Sequence, residues 1–334
     1  MRSIYKNLLL AVSFTLFLTT SLYAQDSNIL YAVSTIEEKL KNTDFEIFRF
    51  KDLRFKGDIG KRVILRYQDG NDLQIKWRRA LPGGHEFNNA PRFEMAAYEL
   101  QKLILDESEY VVPPTVCRGF MFDEYKNIEA EAIPTFRKPN LVIVMMQYWL
   151  NEVTIGGEVY DKEKFEVNPT YAKHFANTNI MTNIINHKDS NEGNLLTSTD
   201  EDNPRVFTVD NGVTFSSPES DRGAIWKYIR VKKLPRKTID RLKQITTKDL
   251  NEKLGVVSQF EFTEDKIFSV SPSKNLNPRK GVRKSGNTIQ FGLTSYEIKA
   301  VKKKIDYINK NYKCILIFPK VDLDRVLLLS LIHI

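Results

Sequence analysis

Hydrophobic and polar residues alternate through the first third of the chain in a way that predicts an antiparallel sheet. The predicted strands are Phe45 to Phe50, Arg62 to Tyr67, Leu73 to Trp77, Val111 to Val116 and Leu141 to Met146. Asp69-Gly70 lies between the second and third of these strands, where a tight hairpin turn is expected. The last two segments are apolar enough to be buried strands.

Apolar residues spaced three and four apart predict helices. The first, Pro91 to Leu105, begins with a proline that suits a first helical turn. The later predicted helices are Tyr171 to Ile185, Lys237 to Ile245, Thr247 to Leu254 and Ser295 to Tyr312. We therefore expect an α+β fold of two lobes, with a small antiparallel β-rich N-lobe at residues 25–150 and a larger, mainly helical C-lobe at residues 151–328.

Composition excludes several classes of protein. Of the 334 residues, 42% are hydrophobic and 28% are charged, which excludes a disordered chain, a collagen and a coiled coil. Cys117 and Cys314 lie far apart and outside any zinc-binding pattern, so a structural zinc site is not expected. An oxidising compartment would permit one disulfide between them, and two buried thiols are an equal alternative.

The N-terminus has the pattern of a signal peptide. Arg2 and Lys6 precede an apolar run from Leu8 to Leu22, and the small residue Ala24 follows. Residues 1–24 are therefore expected to be removed, which gives an exported protein that is periplasmic or secreted. The alternative is a retained N-terminal membrane anchor, for which the run is short, because a membrane span needs about 20 apolar residues.

The charged segments add little about partners. The chain has a formal net charge of +8, and the stretch from Lys227 to Lys243 is strongly basic, with Asp240 as its one acid. This stretch would suit an anionic surface, and a solvated helix face is the alternative. No motif for nucleic acid accompanies it, so no nucleic-acid partner is expected. Residues 329–334 match the translation of a transposase adapter from sequencing libraries, and we infer nothing from them.

One polar segment carries the strongest chemical signal. It runs from His187 to Asn194 and contains Asp189, and Asp210 follows at the end of the predicted strand Val206 to Val209. Upstream, Lys76 lies on a predicted strand and Glu94 on the next helix. Transfer of a phosphoryl group needs positive charge at the phosphates, a divalent cation and a carboxylate that orients the hydroxyl.

These residues resemble the catalytic machinery of protein kinases, whose loop reads H-R-D-x-x-x-x-N and whose metal-binding aspartate begins D-F-G. Here the second motif is Asp210-Asn211-Gly212, and no A-P-E follows it. The resemblance is therefore to the atypical kinases, a group that includes phosphatidylinositol 3- and 4-kinases and secretory-pathway kinases. It covers residues 55–245 and implies a two-lobed protein-kinase-like fold that binds ATP with Mg²⁺ or Mn²⁺.

The resemblance assigns a role to each residue of the motifs. Lys76 would bind the phosphates, held by an ion pair with Glu94 whose charged groups lie within about 4 Å or approach that distance on closure. Asn194 and Asp210 would bind the metal ion, and Asp189 would act as the catalytic base for the acceptor hydroxyl.

Two further segments correspond in position to parts of a kinase that bind the nucleotide. Gln147 and Tyr148 lie where the lobes join and would contact the adenine. The turn Lys56 to Lys61 lies where kinases cover the phosphates, although it departs from G-x-G-x-x-G.

The sequence thus predicts an ATP- and metal-dependent kinase that transfers the γ-phosphate to a hydroxyl of a protein, sugar or lipid outside the cytoplasm. Two alternatives stay open. One is a non-catalytic pseudokinase of the cell envelope that binds a nucleotide or a protein, and the other is an enzyme that transfers AMP. The oligomeric state is not predicted.

Overall fold

The computed structural model describes residues 26–53, 59–155, 160–223, 231, 233–311 and 326–328. Its helices are α1 Val33–Lys41, α2 Pro91–Ile104, α3 Phe122–Tyr125, α4 Lys162–Val167, α5 Pro169–Ile184, α6 Arg236–Gln244, α7 Thr247–Leu254 and α8 Ser295–Asn311. Strands β1 to β8 are Phe45–Asp52, Gly60–Tyr67, Asp72–Arg79, Thr115–Met121, Phe136–Arg137, Asn140–Tyr148, Val153–Ile155 and Leu195–Ser198. Strands β9 to β15 are Val206–Thr208, Lys233–Pro235, Ser258–Phe262, Ile267–Val270, Val282–Ser285, Thr288–Phe291 and Val326–Leu328.

Several segments of the sequence analysis fall outside the described residues. They are the expected signal peptide at residues 1–24, Cys314, the first half of the turn Lys56 to Lys61, three basic residues at 227, 230 and 232, and residues 329–334. Within the residues that are described, no helix is long and apolar enough to cross a membrane.

The N-terminal sheet is antiparallel and has the strand order β1-β2-β3-β6-β4, with β5 paired to β6. Its register places Lys76 opposite Gln147 and Gln147 opposite Thr115. Residues opposite one another in a sheet point to the same face, so these three side chains form a row across three strands. The prediction of an antiparallel sheet in this part of the chain is confirmed.

The two faces of this sheet pack against different helices. Ile75 and Met146 belong to the apolar cluster that contains Ile36 of α1. Met145 belongs to the larger cluster, which contains Phe93 of α2. Because successive residues of a strand point to opposite faces, Lys76 lies on the face toward α2.

The expected buried strand Val111 to Val116 is wrong in its bounds, since β4 begins at Thr115. Pro113 and Pro114 have no N–H to donate to a ladder. The N–H groups of Val111 and Val112 donate to a side chain and not to a neighbouring strand. Their acceptor is Gln101 Oε1, at 2.9 Å from each.

In the C-lobe, α5 is buried on almost every side and stands behind the polar segment that follows it. Asn168 caps its N-terminus by accepting a hydrogen bond from the N–H of Tyr171 at 2.9 Å, and Pro169 occupies the first turn. The short sheet β7-β8-β9 comes next. It ends two residues before Asp210 and so delivers that residue to its edge.

A second antiparallel sheet, with the order β12-β11-β14-β13, was not predicted. Its strands are four or five residues long, too short to show a clear alternation. Its buried residues Phe260, Ile289 and Phe291 belong to the same apolar cluster as α2. A cleft of about 310 Å³ lies between β4 and β12, and its lining includes none of the predicted site residues.

Candidate functional site

Lys76 of β3 and Asp210 form an ion pair, although 134 positions separate them along the chain. The side chain of Lys76 is 9% exposed and that of Asp210 is 42% exposed. Asp210 has a left-handed backbone with φ +55°, a conformation that aspartate adopts more readily than most residues. The structure therefore brings together the residues predicted to bind the phosphates and the metal ion.

The expected ion pair between Lys76 and Glu94 is not formed. Glu94 is buried, and its Oε2 accepts a hydrogen bond of 3.0 Å from the backbone N–H of Asn211. The turn after β9 packs so closely against α2 that a Cβ added at Gly212 would lie 3.5 Å from Glu94 Oε1. Glu94 therefore contacts the turn that carries Asp210, and Lys76 pairs with Asp210 itself.

Glu94 Oε1 has no hydrogen-bond partner among the described residues. A buried carboxylate oxygen without a partner is costly unless a ligand or cation satisfies it. This oxygen is therefore available to a ligand beside the turn Asp210-Asn211-Gly212.

Asp189 is buried, and hydrogen bonds fix both of its carboxylate oxygens. Oδ1 accepts from Asn191 Nδ2 at 3.1 Å and from Ser220 Oγ at 2.6 Å, and Oδ2 accepts from Asn194 Nδ2 at 3.1 Å. The structure thus holds the predicted base in one orientation. The sequence offered no signal for Ser220, and Asn191 was not singled out.

Asn194 connects the two parts of the site. Its Nδ2 also donates to the backbone carbonyl of Asp189 at 2.6 Å, so its Oδ1 is the side-chain atom left to coordinate a cation. The N–H of Val209 donates to the backbone carbonyl of Asn194 at 3.0 Å. The predicted metal ligands Asn194 and Asp210 therefore lie on adjoining segments.

His187 is a second link between the same segments. Its Nε2 lies 3.2 Å from the carbonyl of Val209, and the N–H of Asp189 donates to its Nδ1 at 3.3 Å. These partners require a neutral ring that carries its proton on Nε2. Burial lowers the pKa of His187 to about 4, although the hydrogen bond to Val209 opposes this change.

The two residues predicted to contact adenine lie on opposite faces of the sheet. Gln147 shares the face of Lys76, and its Nε2 donates to Thr115 Oγ1 at 2.9 Å. The ring of Tyr148 belongs to the cluster on the other face, and its hydroxyl accepts from the N–H of Leu30 at 3.2 Å. Only the backbone of Tyr148, and not its ring, is therefore available on the face that carries Lys76 and Gln147.

A buried ion pair fixes the helix that carries Glu94. Arg92 Nη1 and Nη2 donate to the two carboxylate oxygens of Glu297 on α8 at 2.7 and 2.9 Å. Burial raises the pKa of Glu297, but the hydrogen bonds from Arg92 and Ser216 outweigh it and hold that pKa below its ordinary value. The contact joins α2 to the C-terminal helix and to the segment after the Asp210 turn, and the sequence analysis missed it.

In the described part of the basic stretch, several charges are paired with acids. Lys233 pairs with Glu166, and Lys237 and Arg241 both pair with Asp106. Lys233, Lys237 and Arg241 therefore form ion pairs within the chain.

The side chains present fit a magnesium or manganese ion. Among the described residues there is no group of three or more histidine, cysteine, aspartate or glutamate side chains that could hold a metal by itself. Mg²⁺ is usually bound by one or two carboxylates, with phosphate oxygens completing its shell. Asp210 and Glu94 would supply the carboxylates, and Asn194 would add an amide oxygen.

Solved structures with the same fold were found by comparison. The Golgi casein kinase with Mn and ADP bound aligns with a TM-score of 0.52 at 12% identity, covering 85% of this chain and 77% of that one. Another structure of the Golgi casein kinase gives 0.51 at 13% identity, with the same coverage. The fold is two-lobed and kinase-like. Hydra Fam20 with sugar aligns with a TM-score of 0.48 at 14% identity, covering 83% of this chain and 86% of that one.

No protein-family model matches the chain, and no curated protein matches it in sequence. The structural comparison therefore confirms the fold class that the motifs implied, an α+β fold of the protein-kinase-like kind. The boundary at residue 150 and the roles of the site residues stay predictions.

Proposed function

We propose that this chain is an ATP- and metal-dependent phosphotransferase that moves the γ-phosphate of ATP to a hydroxyl group outside the cytoplasm. The observation that carries the proposal is convergence: Lys76 pairs with Asp210, while Glu94 and Asn194 bind the residues on either side of Asp210. The fold shared with a kinase solved with Mn and ADP bound supports a nucleotide and a divalent cation as ligands.

When bound, a divalent cation neutralises charge on the phosphates. Asp210 and Glu94 Oε1 would hold it, with Asn194 Oδ1 as a further ligand. Lys76 offers its ammonium to the phosphates, and its ion pair with Asp210 keeps that ammonium in the site.

Asp189 orients the acceptor and takes its proton. The hydroxyl oxygen of the acceptor forms a bond to the γ-phosphorus, the bond from that phosphorus to the bridging oxygen breaks, and ADP leaves with that oxygen. The proton of the hydroxyl passes to the Asp189 carboxylate. Asn191 and Asn194 hold that carboxylate in one position, which reduces the reorganisation needed during transfer.

Incubation of the purified full chain with ATP and Mn²⁺ or Mg²⁺ tests the proposal. We expect calorimetry to show metal-dependent binding of ATP, chromatography to show release of ADP, and mass spectrometry to show phosphate on an acceptor or on the chain. An Asp265→Ala variant, changed in the exposed turn between β11 and β12, should behave as wild type.

The other outcomes separate the alternatives. Binding without ADP release would favour the pseudokinase, and release of pyrophosphate with a gain of AMP would favour AMP transfer. No binding of nucleotide with either metal would overturn the proposal.

Export is part of the proposal and has its own test. The charged start, the short apolar run and Ala24 support cleavage near that residue. N-terminal sequencing of the protein recovered from its host is expected to begin near Gln25. A soluble cytoplasmic protein that begins at Met1 would contradict export.

A further inference from the structure

The carboxylate of Asp189 already holds a hydroxyl group that belongs to the chain. Ser220 Oγ donates to Asp189 Oδ1 at 2.6 Å, within the short range that hydrogen bonds from a hydroxyl to a carboxylate adopt. This is the contact that a catalytic base makes with the hydroxyl of its acceptor.

Backbone contacts hold Ser220 against the catalytic loop. Its N–H lies 3.4 Å from the carbonyl of Lys188, and the N–H of Lys188 donates to the carbonyl of Val213 at 2.9 Å. The hydroxyl itself also accepts a hydrogen bond from the N–H of Arg222 at 3.2 Å. The proton of Ser220 is therefore directed at Asp189, and the oxygen is oriented by a second contact.

The residues around Ser220 form a surface turn. The N–H of Gly223 donates to the carbonyl of Ser220 at 3.1 Å, and Gly223 has a left-handed backbone with φ +83°. Pro218, Glu219 and Asp221 are exposed, whereas Ser220 is half-buried. The turn thus presents its serine inward to the site.

We propose that Ser220 is an acceptor of the chain's own phosphoryl transfer and is modified within the same molecule. The inference rests on the proposed function. Ser220 Oγ forms a bond to the γ-phosphorus of ATP, the bond from that phosphorus to the bridging oxygen breaks, ADP leaves, and the serine proton passes to Asp189.

The product cannot keep the contact that preceded it. A phosphoserine carries a charge of about −1.5 to −2 at neutral pH, and it would stand beside the carboxylate of Asp189. Repulsion between these charges moves the turn off the catalytic loop. The position at Asp189 then becomes accessible to an acceptor from outside the chain.

Peptide mapping by mass spectrometry tests the inference. The full chain is incubated with ATP and Mn²⁺, and the fraction of each serine that carries phosphate is followed over a dilution series. We expect phosphate on Ser220, at a rate that does not change with protein concentration. Ser220→Thr should keep the modification, because threonine retains the hydroxyl.

A variant and a control separate this site from others. Ser220→Ala should lose the modification while it keeps metal-dependent binding of ATP, and Ser285→Ala, an exposed serine of β13, should be modified as wild type is. If Ser220 stays unmodified while ADP is released, or while phosphate is found on another residue, the inference is wrong and the proposed function still stands. A rate that rises with protein concentration would overturn modification within one molecule. A chain that binds no nucleotide with either metal would overturn both proposals.

Discussion

Asp189 and Asp210 lie on adjoining segments, yet their carboxylates differ in burial and in hydrogen bonding. Both oxygens of Asp189 accept hydrogen bonds from neighbouring side chains, and the residue is buried. Asp210 is 42% exposed beside Lys76, and Glu94 next to it has an oxygen without a partner among the described residues. The proposed acceptor side, around Asp189, therefore has its hydrogen bonds complete as folded. The proposed nucleotide side, around Asp210, has carboxylate oxygens that could still bind a cation.

The two sides are joined by backbone contacts. Val209, which precedes Asp210, is bonded to both Asn194 and His187. A side chain on one side can be changed while this link remains. Substitutions can therefore separate binding of the nucleotide from transfer of the phosphate.

The largest effect is expected for Asp210→Ala on the nucleotide side. It removes the most exposed carboxylate of the proposed metal set and also the partner of Lys76. We expect metal-dependent binding of ADP to be abolished, as measured by calorimetry with and without Mn²⁺. Binding of wild-type strength that still depended on the metal would show that the cation lies elsewhere.

Asp189→Asn tests the acceptor side. An amide keeps the size of the side chain but cannot take a proton from the hydroxyl, so turnover should fall by roughly 10²-fold or more. The affinity for ATP should stay near that of wild type, because Asp189 is used mainly in the transition state. Steady-state release of ADP and calorimetry measure the two quantities, and full turnover in this variant would contradict the role of Asp189.

His187 tests the link between the sides through pH. The unfolded histidine binds a proton near its ordinary pKa of about 6.5, whereas in the fold its pKa is about 4. Between these values the unfolded state binds more protons. The contribution of His187 to the free energy of unfolding is therefore complete above pH 6.5 and is lost as the pH is lowered toward 4. Between pH 7 and pH 5 we expect His187 to account for a loss of about 2 kcal/mol in the free energy of unfolding.

Urea unfolding of wild type and His187→Gln at the two pH values measures this contribution. Glutamine can donate to Val209 and accept from Asp189, and it does not titrate. The variant should therefore lose less stability on acidification than wild type. Burial also holds the pKa of His174 well below its ordinary value, so some pH dependence should remain in the variant. Equal losses in the two proteins would contradict the assignment to His187.

The smallest effect is expected for Glu94→Gln. The variant keeps an oxygen to accept the hydrogen bond from Asn211 but loses the carboxylate charge, so metal-dependent binding of ADP should weaken about tenfold, because Asp210 remains. A titration with Mn²⁺ at fixed ADP measures this. Glu99→Gln on the same helix is the matched control, since Glu99 pairs with Lys102 and Lys253. An unchanged titration would show that Glu94 only joins α2 to the turn.

Local patterns in the sequence predicted much of the fold. The strands β2, β3 and β6 and the helices α2 and α5 to α8 lie where the spacing of apolar residues placed them. The resemblance to kinases implied one site for Lys76, Glu94, Asp189, Asn194 and Asp210, because their motifs follow the kinase order along the chain. The sheet formed by β11 to β14 was missed, because strands this short carry too few alternating positions to show their period.

By itself, then, the sequence determined which chemical groups are present, in which order and on which kind of element. The tertiary structure decided which of them meet. Asp210 is 134 positions from its partner Lys76, and Arg92 is 205 positions from Glu297, so neither distance follows from local spacing. The partner of a charged side chain depends on how the lobes and turns pack. Because of that packing, Lys76 pairs with Asp210, and the hydroxyl of Ser220 donates to the carboxylate of Asp189. The same packing leaves Glu94 Oε1 without a hydrogen-bond partner among the described residues.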